Sequence, residues 1–444
     1  MKGNEILRSF SEIEESYILE AAPAKKTVKK PMWIRWVSFA AALCLVVGMA
    51  LYRGNMVVPV QAADLMAGIT GNPVDSVDLG SSKTAVSDFA VRLMQMCNDS
   101  KENVMISPMS ILYAMAMTAN GAEGETLTQM EAVLGMPVEE LNAWIYSFGK
   151  TINTDQLKVA NSIWFTAEDR FTANRDFLQV NADYYDAAIY QAEFDQETLN
   201  DVNNWVKGNT EGMIPKILDR IDPNDVMYLI NAVCFEAKWA QTYKDSQIKD
   251  GKFTLENGTK ITVDFMHSEE AYYLEDELAT GFTKAYKNGN YAFVALLPNE
   301  GVTVEEYLQS LTGEKLQNLL ASRKQTGVDV AIPKFESDYS TELVEVLEKM
   351  GMELAFDPEN ADFTGLGTST DGNIYISQAV HKTYISVDEQ GTKAAASTMV
   401  GMTYTTAVPL MRQKVILDRP FIYMIIDQAT GIPVFIGTMM NPQA

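Results

Sequence analysis

Only two histidines, His267 and His381, occur in the 444 residues, so a proton-shuttling site has little to be built from. A Ser-His-Asp arrangement would need one of them, and no GxSxG turn presents a serine for it. His267 stands in DFMHSEE, a polar neighbourhood that reads as solvated surface. His381 stands in ISQAVHKTYISV, a strand-like run, where a histidine is more often a hydrogen-bonded core residue than a base. There is no HExxH, no paired CxxC, no Walker loop and no GxGxxG after a strand. GLGTSTDG at 365–372 is turn-like and nothing more. The sequence therefore predicts no convergent catalytic site, no metal centre and no cofactor: the chain is not an enzyme. Three cysteines, Cys44, Cys97 and Cys234, are too few for a disulfide-framed scaffold. Cys97 continues the helical-period face Val86, Phe89, Ala90, Leu93, Met94 and reads as a buried, inert thiol.

What does stand out is residues 388–411, DEQGTKAAASTMVGMTYTTAVPLM. After Lys393 no charge appears until Arg412, in a chain of net charge −24. Small and β-competent residues dominate the run, which fits a strand, a flexible loop or a segment able to become either. The acidic balance, and the lack of a Lys/Arg stripe outside the first 35 residues, exclude a nucleic-acid backbone as partner. With 47% hydrophobic and 21% charged residues the chain can bury a large core.

The elements that would hold such a segment are mixed. GETLTQMEAVLG (124–135) and TELVEVLEKMGM (341–352) have helical periods, the second ending at Gly351. FIYMII (421–426) and IPVFI (432–436) are continuous apolar runs around DQATG and predict a buried terminal hairpin. No regular strand–helix alternation appears, so the class is α+β.

The N-terminus differs in kind. Residues 1–32 are polar and end in Lys25, Lys26, Lys29 and Lys30. WIRWVSFAAALCLVVGMALY (33–52) follows, uncharged from Trp36 to Tyr52 and long enough to cross a bilayer. Lysines before it predict residues 1–32 in the cytoplasm, a signal-anchor helix over 33–52, and a single-pass cell-membrane protein with the remainder outside. The rival is a cleaved signal peptide and a secreted product, with Val60-Gln61-Ala62 offering a cleavage site. Residues 53–78 read as a linker and 79–444 as the outer domain.

That outer part, from about residue 80 to 442, resembles a serpin, the family of large metastable serine protease inhibitors. The resemblance rests on separated blocks in the family's order: NVMISPMSILYAMAMTANGAEGET (103–126), NSIW (161–164), NNWVKGNTEGMI (203–214) and LINAVCFEAKW (229–239). IPKFE (332–336), ADFTG (361–365), HKTYISVDEQGTKAAAST (381–398) and DRPFIYMI…FIGTMMNP (418–442) follow. It implies about nine helices around three β-sheets, in a membrane-anchored member of bacterial type, acting as a monomer. It also implies an exposed reactive loop that a target protease cuts and that then enters the central sheet as an extra strand. The target is held as a covalent acyl complex.

A loop that must join a packed sheet needs small side chains at every second position. Thr392, Ala394, Ala396 and Thr398 meet that need, and Lys393 has the opposite parity. By resemblance the hinge comprises Glu389, Gly391, Thr392, Ala394, Ala395 and Ala396. Ser107, Ser110, Asn231 and His381 match the family's "shutter", and Trp239 its "breach", where insertion begins. Gln390 and Lys393 depart from the pattern, since many members carry Glu there. Counting from the hinge places the scissile bond at Thr405-Thr406; counting back from Arg419-Pro420-Phe421 places it near Pro409-Leu410. A Thr, Val or Ala bait suits an elastase-like or subtilisin-like pocket, and Tyr404 or Leu410 a chymotrypsin-like one. The open alternatives are a non-inhibitory binding or structural serpin and an inhibitor of cysteine proteases.

Overall fold

The computed structural model describes residues 60–98, 101–152, 155–167, 169–370, 372–392 and 412–444. The chain begins with β1 (Ala63–Asp64), helix α1 (Lys83–Cys97), β2 (Val104–Ile106) and helices α2 (Pro108–Ala119), α3 (Gly124–Leu134) and α4 (Val138–Gly149). Next come β3 (Leu157–Phe165), β4 (Phe171–Ala173), α5 (Arg175–Tyr184), β5 (Ala188–Gln191) and α6 (Gln196–Asn209). The strands β6 (Met227–Phe235), β7 (Ala237–Lys238), β8 (Ile248–Thr254), β9 (Lys260–Glu275), β10 (Ala279–Ala285) and β11 (Tyr291–Pro298) follow. Then come α7 (Val304–Ser310), α8 (Gly313–Ala321), β12 (Lys324–Pro333), β13 (Phe335–Glu342) and α9 (Val344–Lys349). The last strands are β14 (Gly367–Ser369), β15 (Gln378–Val387), β16 (Gly391–Thr392), β17 (Gln413–Ile416), β18 (Phe421–Asp427) and β19 (Pro433–Met439). Among the described residues this makes nine α-helices and three sheets, the α+β architecture expected.

The first sheet runs β1-β5-β3-β6-β15-β16-β7, with β13 on β15. The second runs β17-β12-β9-β10-β11-β18-β19-β2, with β8 on β9; the third is β14-β4. At the centre of the first sheet β6 and β15 pair in parallel, from Gln378 opposite Tyr228 to Tyr384 opposite Cys234. Their outer neighbours, β3 and β13, are antiparallel to them. Every residue of β6 is buried, because the sheet is covered on both faces. Leu229, Val233 and Phe235 join the main core, while Tyr228, Ile230 and Ala232 pack with Trp164, Val202, Trp205 and Val206 beneath α6.

The terminal hairpin forms as expected, β18 and β19 pairing antiparallel across the turn that ends at Gly431. The helix expected over 341–352 is shorter. Thr341 and Glu342 belong to β13, opposite His381 and Val380, and the helix begins at Val344. Glu342 ends the strand and starts the helix at once, since its Oε1 accepts from the amides of Leu343 (3.1 Å) and Val344 (3.4 Å).

The described part of the stretch read as a linker, residues 60–78, is fastened to the domain. Ala63 and Asp64 pair with Gln191 and Tyr190 of β5. The buried Asp201 carboxylate on α6 accepts from the amides of Gln61 (2.6 Å) and Ala62 (2.9 Å). Carboxylate and hydroxyl acceptors elsewhere satisfy Asn72 and Val77, so a segment with no period still finds partners for its backbone.

The membrane expectation is corrected. No described helix is long and apolar enough to cross a membrane, which overturns the single-pass placement at the cell membrane. Residues 1–32 and 33–52 lie outside the described residues.

Candidate functional site

Ser107, Ser110, Asn231 and His381, far apart in sequence, come together under the parallel pair of strands. His381 and Asn231 face each other in register across β15 and β6, and Asn161 faces Asn231 across β3 and β6. One row of polar side chains thus crosses the centre of the sheet. The start of α2 lies against it: Ser107 caps that helix ahead of Pro108 at its first position. The Ser107 amide donates to His381 Nε2 at 3.0 Å, so this nitrogen is unprotonated. His381 Nδ1 therefore carries the proton and donates to Asn231 Oδ1. Asn231 Nδ2 donates to Ser110 Oγ (2.7 Å) and to Asn161 Oδ1 (2.6 Å). Ser110 Oγ also donates to Asn161 Oδ1 at 3.0 Å. Both ring nitrogens are used and the ring is wholly buried, which pushes the imidazole down to about 3. His381 is a neutral structural histidine. Asn161 was missed in the sequence, although NSIW was singled out, because an asparagine in an apolar strand carries no local mark of its partners.

Trp239 sits one strand-end away. Its indole Nε1 donates to Asp388 O at 2.8 Å and its amide to Gln390 O at 3.0 Å. Its ring stacks on Tyr286 with centroids 4.5 Å apart, and Tyr286 OH lies 2.7 Å from Thr392 Oγ1. The Tyr243 amide donates to Glu389 O at 2.9 Å. Every residue from 388 to 392 except Gly391 is thus held by an aromatic residue of the 239–286 region. Gly391 is required by crowding: a Cβ there would lie 2.1 Å from Ala237 O. Thr392 is fully buried and pairs with Val387 and Ala237, so the antiparallel return along β15 has already begun at this residue.

Glu389 is tied to Lys334 of the IPKFE block, Nζ to Oε2, at 2.7 Å. The hydrogen bond from that ammonium holds the Glu389 carboxyl below the usual range. Both side chains are about a third exposed (30% and 33%), so solvent screens the pair. Glu389→Ala is expected to cost less than about 1 kcal/mol. The loss should shrink at high salt, and denaturant midpoints at low and high ionic strength check this.

The other residues expected to form the hinge and bait, Ala394, Ala395, Ala396, Thr405 and Thr406, lie outside the described residues. The chain is described again from Arg412, whose guanidinium bridges Glu269 (2.7 Å) and Asp329 (3.5 Å) as β17 joins β12 in parallel. Cys97 carries a thiol that burial pushes up to about 12, in keeping with an inert role.

A central sheet whose middle strands run parallel, with a buried polar row beneath and a clamped turn at one end, defines the class. The chain belongs to the serpin family: the family model for serpins (serine protease inhibitors) matches residues 84–442. An uncharacterized serpin-like protein of Thermococcus kodakarensis is 30% identical over 81% of this chain and 85% of its own length. The leukocyte elastase inhibitor of Equus caballus is 29% identical over 81% of this chain and 99% of its own. Among solved structures, the native state of the thermophilic serpin tengpin is similar with a TM-score of 0.82 and 48% identity, covering 86% of this chain and all of that one. Members of the family are generally protease inhibitors rather than enzymes. These likenesses support neither a membrane anchor nor a bacterial type.

Proposed function

We propose that the chain inhibits serine proteases irreversibly, one for one, by cleavage of the 393–411 segment and insertion of its N-terminal part between β6 and β15. The observation that carries this reading is the direct parallel pairing of those strands, with Thr392 already laid antiparallel on the end of β15. A strand entering from Thr392 would run antiparallel to both. On this reading the target's serine oxygen attacks the Thr405 carbonyl, the Thr405-Thr406 bond breaks, and the amine of Thr406 leaves with the C-terminal peptide. Insertion then outpaces attack by water on the acyl bond. Glu389, Gly391, Thr392 and Ala394 to Ala396 act as hinge. Ser107, Ser110, Asn231 and His381, with Asn161, hold the sheet shut. Trp239 marks the point of entry.

A small bait residue fits a small apolar pocket, elastase-like or subtilisin-like, and the name of the horse relative agrees with this. The test mixes the full chain with elastase-like, subtilisin-like, chymotrypsin-like and trypsin-like proteases. An SDS-resistant complex and a released peptide starting at Thr406 are expected. A peptide starting near Leu410 would keep the mechanism and move the bait. Cleavage with fully active protease and no complex would sink the inhibitory reading and leave a serpin fold with another use.

A further inference from the structure

The aromatic residues that grip the hinge rest on a buried pair of opposite charges. Lys284 on β10 is only 3% exposed, and its Nζ lies 2.7 Å from Oε1 of Glu270 on β9. The same ammonium sits 4.6 Å from the Tyr243 ring centre and 5.3 Å from that of Trp239. Glu270 Oε1 also accepts from Ser268 Oγ at 2.6 Å, and Ser268 Oγ lies 3.1 Å from Tyr243 OH. The cation thus has one carboxylate and two ring faces as its surroundings. These two rings belong to the residues whose amides bond the carbonyls of Gln390 and Glu389.

The pair also lies close to the other end of the loop. Ser268 and Glu270 stand opposite Val330 and Val328 of β12, and these in turn stand opposite Val415 and Gln413 of β17. The charges sit between the strand the chain leaves and the strand to which it returns. A methionine would fill the position of Lys284 without needing a partner. A buried ammonium cannot do without one, so geometry at this point is set by charge pairing rather than by packing alone.

We propose that Lys284 and Glu270 are positioning residues for loop insertion. The pair fixes the Trp239 and Tyr243 rings against the hinge and so sets how readily the chain beyond Gly391 enters the sheet. The consequence for trapping rests on the inhibitory reading above; the clamp on the hinge does not.

The test uses the full chain as Lys284→Met, as Glu270→Gln, as the double variant Lys284→Met/Glu270→Leu, and as a control core truncation, Val133→Ala in α3. Hydrogen exchange is measured at the amides of Trp239 and Tyr243, with the β18 amide of Met424 as reference. Both single variants should speed exchange at Trp239 and Tyr243 by about tenfold or more, leaving the reference unchanged. The double variant, free of an unpaired charge, should recover thermal stability without recovering protection at those two amides. Glu270→Gln keeps the side-chain shape and the Ser268 bond, so it answers the question if Lys284→Met does not fold. Equal protection in wild type and Glu270→Gln would overturn the proposal, as would the same local loss in Val133→Ala. In parallel, trapping capacity is followed during incubation without protease, where the single variants should lose it faster. If the wild-type chain traps no protease, the inhibitory reading falls, and hydrogen exchange still decides the clamp.

Discussion

Thr392→Arg is expected, on the proposed inhibitory mechanism, to turn the chain from a trap into a substrate. Thr392 is fully buried, lies between β15 and β7, and places its hydroxyl 2.7 Å from that of Tyr286. It is the first residue of the alternating small series that would face the core after insertion. An arginine here must either bury a charge with no partner or keep the strand from starting. Either costs several kcal/mol, and each ~1.4 kcal/mol on the insertion barrier shifts the race between insertion and deacylation about tenfold. The fraction of encounters that end in complex should fall by about a hundredfold or more. Gel analysis would then show cleaved inhibitor beside active protease. Thr392→Val, which loses the hydroxyl but keeps the branched shape, should keep most of the trapping. If a folded Thr392→Arg variant formed complex as the wild type does, a small uncharged side chain at residue 392 would not be needed for trapping.

The second large effect concerns acid. His381 is held down to about 3 by burial, against an ordinary value of 6.5. The unfolded chain takes up a proton on this side chain below about pH 6.5, and the folded chain does so only near pH 3. Across that window the unfolded state binds more protons, so stability rises with pH and is lost as pH falls from about 6.5 towards 3. At about 1.4 kcal/mol per unit, the loss is of the order of several kcal/mol. Protonation would set a hydrogen on Nε2 against the Ser107 amide, so the whole polar row across β15, β6 and β3 is expected to fail together. His381→Gln removes the titrating group. The difference in unfolding free energy between wild type and variant should therefore shrink between pH 7 and 4, the carboxylates cancelling in the comparison. A difference that stays flat would mean that His381 is not held neutral in the folded chain.

How much of this was legible in the sequence differs from residue to residue. The grouping of Ser107, Ser110, Asn231 and His381 came from resemblance, since no local spacing links Ser107 to His381. Asn161 escaped because its two partners, Asn231 and Ser110, come from β6 and α2, and only register reveals them. The fastening of residues 60–78 was invisible for a like reason: its acceptors, Asp183, Ser147 and Asp201, are each far along the chain. Lys284 stands in GFTKAY, and nothing in that hexapeptide announces Glu270. Conversely, the terminal hairpin was plain, because two continuous apolar runs around a turn admit few other structures. The helix at 341–352 was half right: its period was real, but pairing with β15 claimed its first two residues for the sheet.

On the proposed insertion, the antiparallel register of Thr392 on Val387 would give the segment that follows both a sense and a reading frame. Side chains alternate with a period of two, so removing one residue between 393 and the bait exchanges the inward and outward sets. Residues beyond the deletion would then change faces, while Lys393, which precedes it, would keep its own. Removing two residues restores the phase and only shortens the text. On the proposed insertion, changes in the length of this part of the chain keep the phase only when they come in twos.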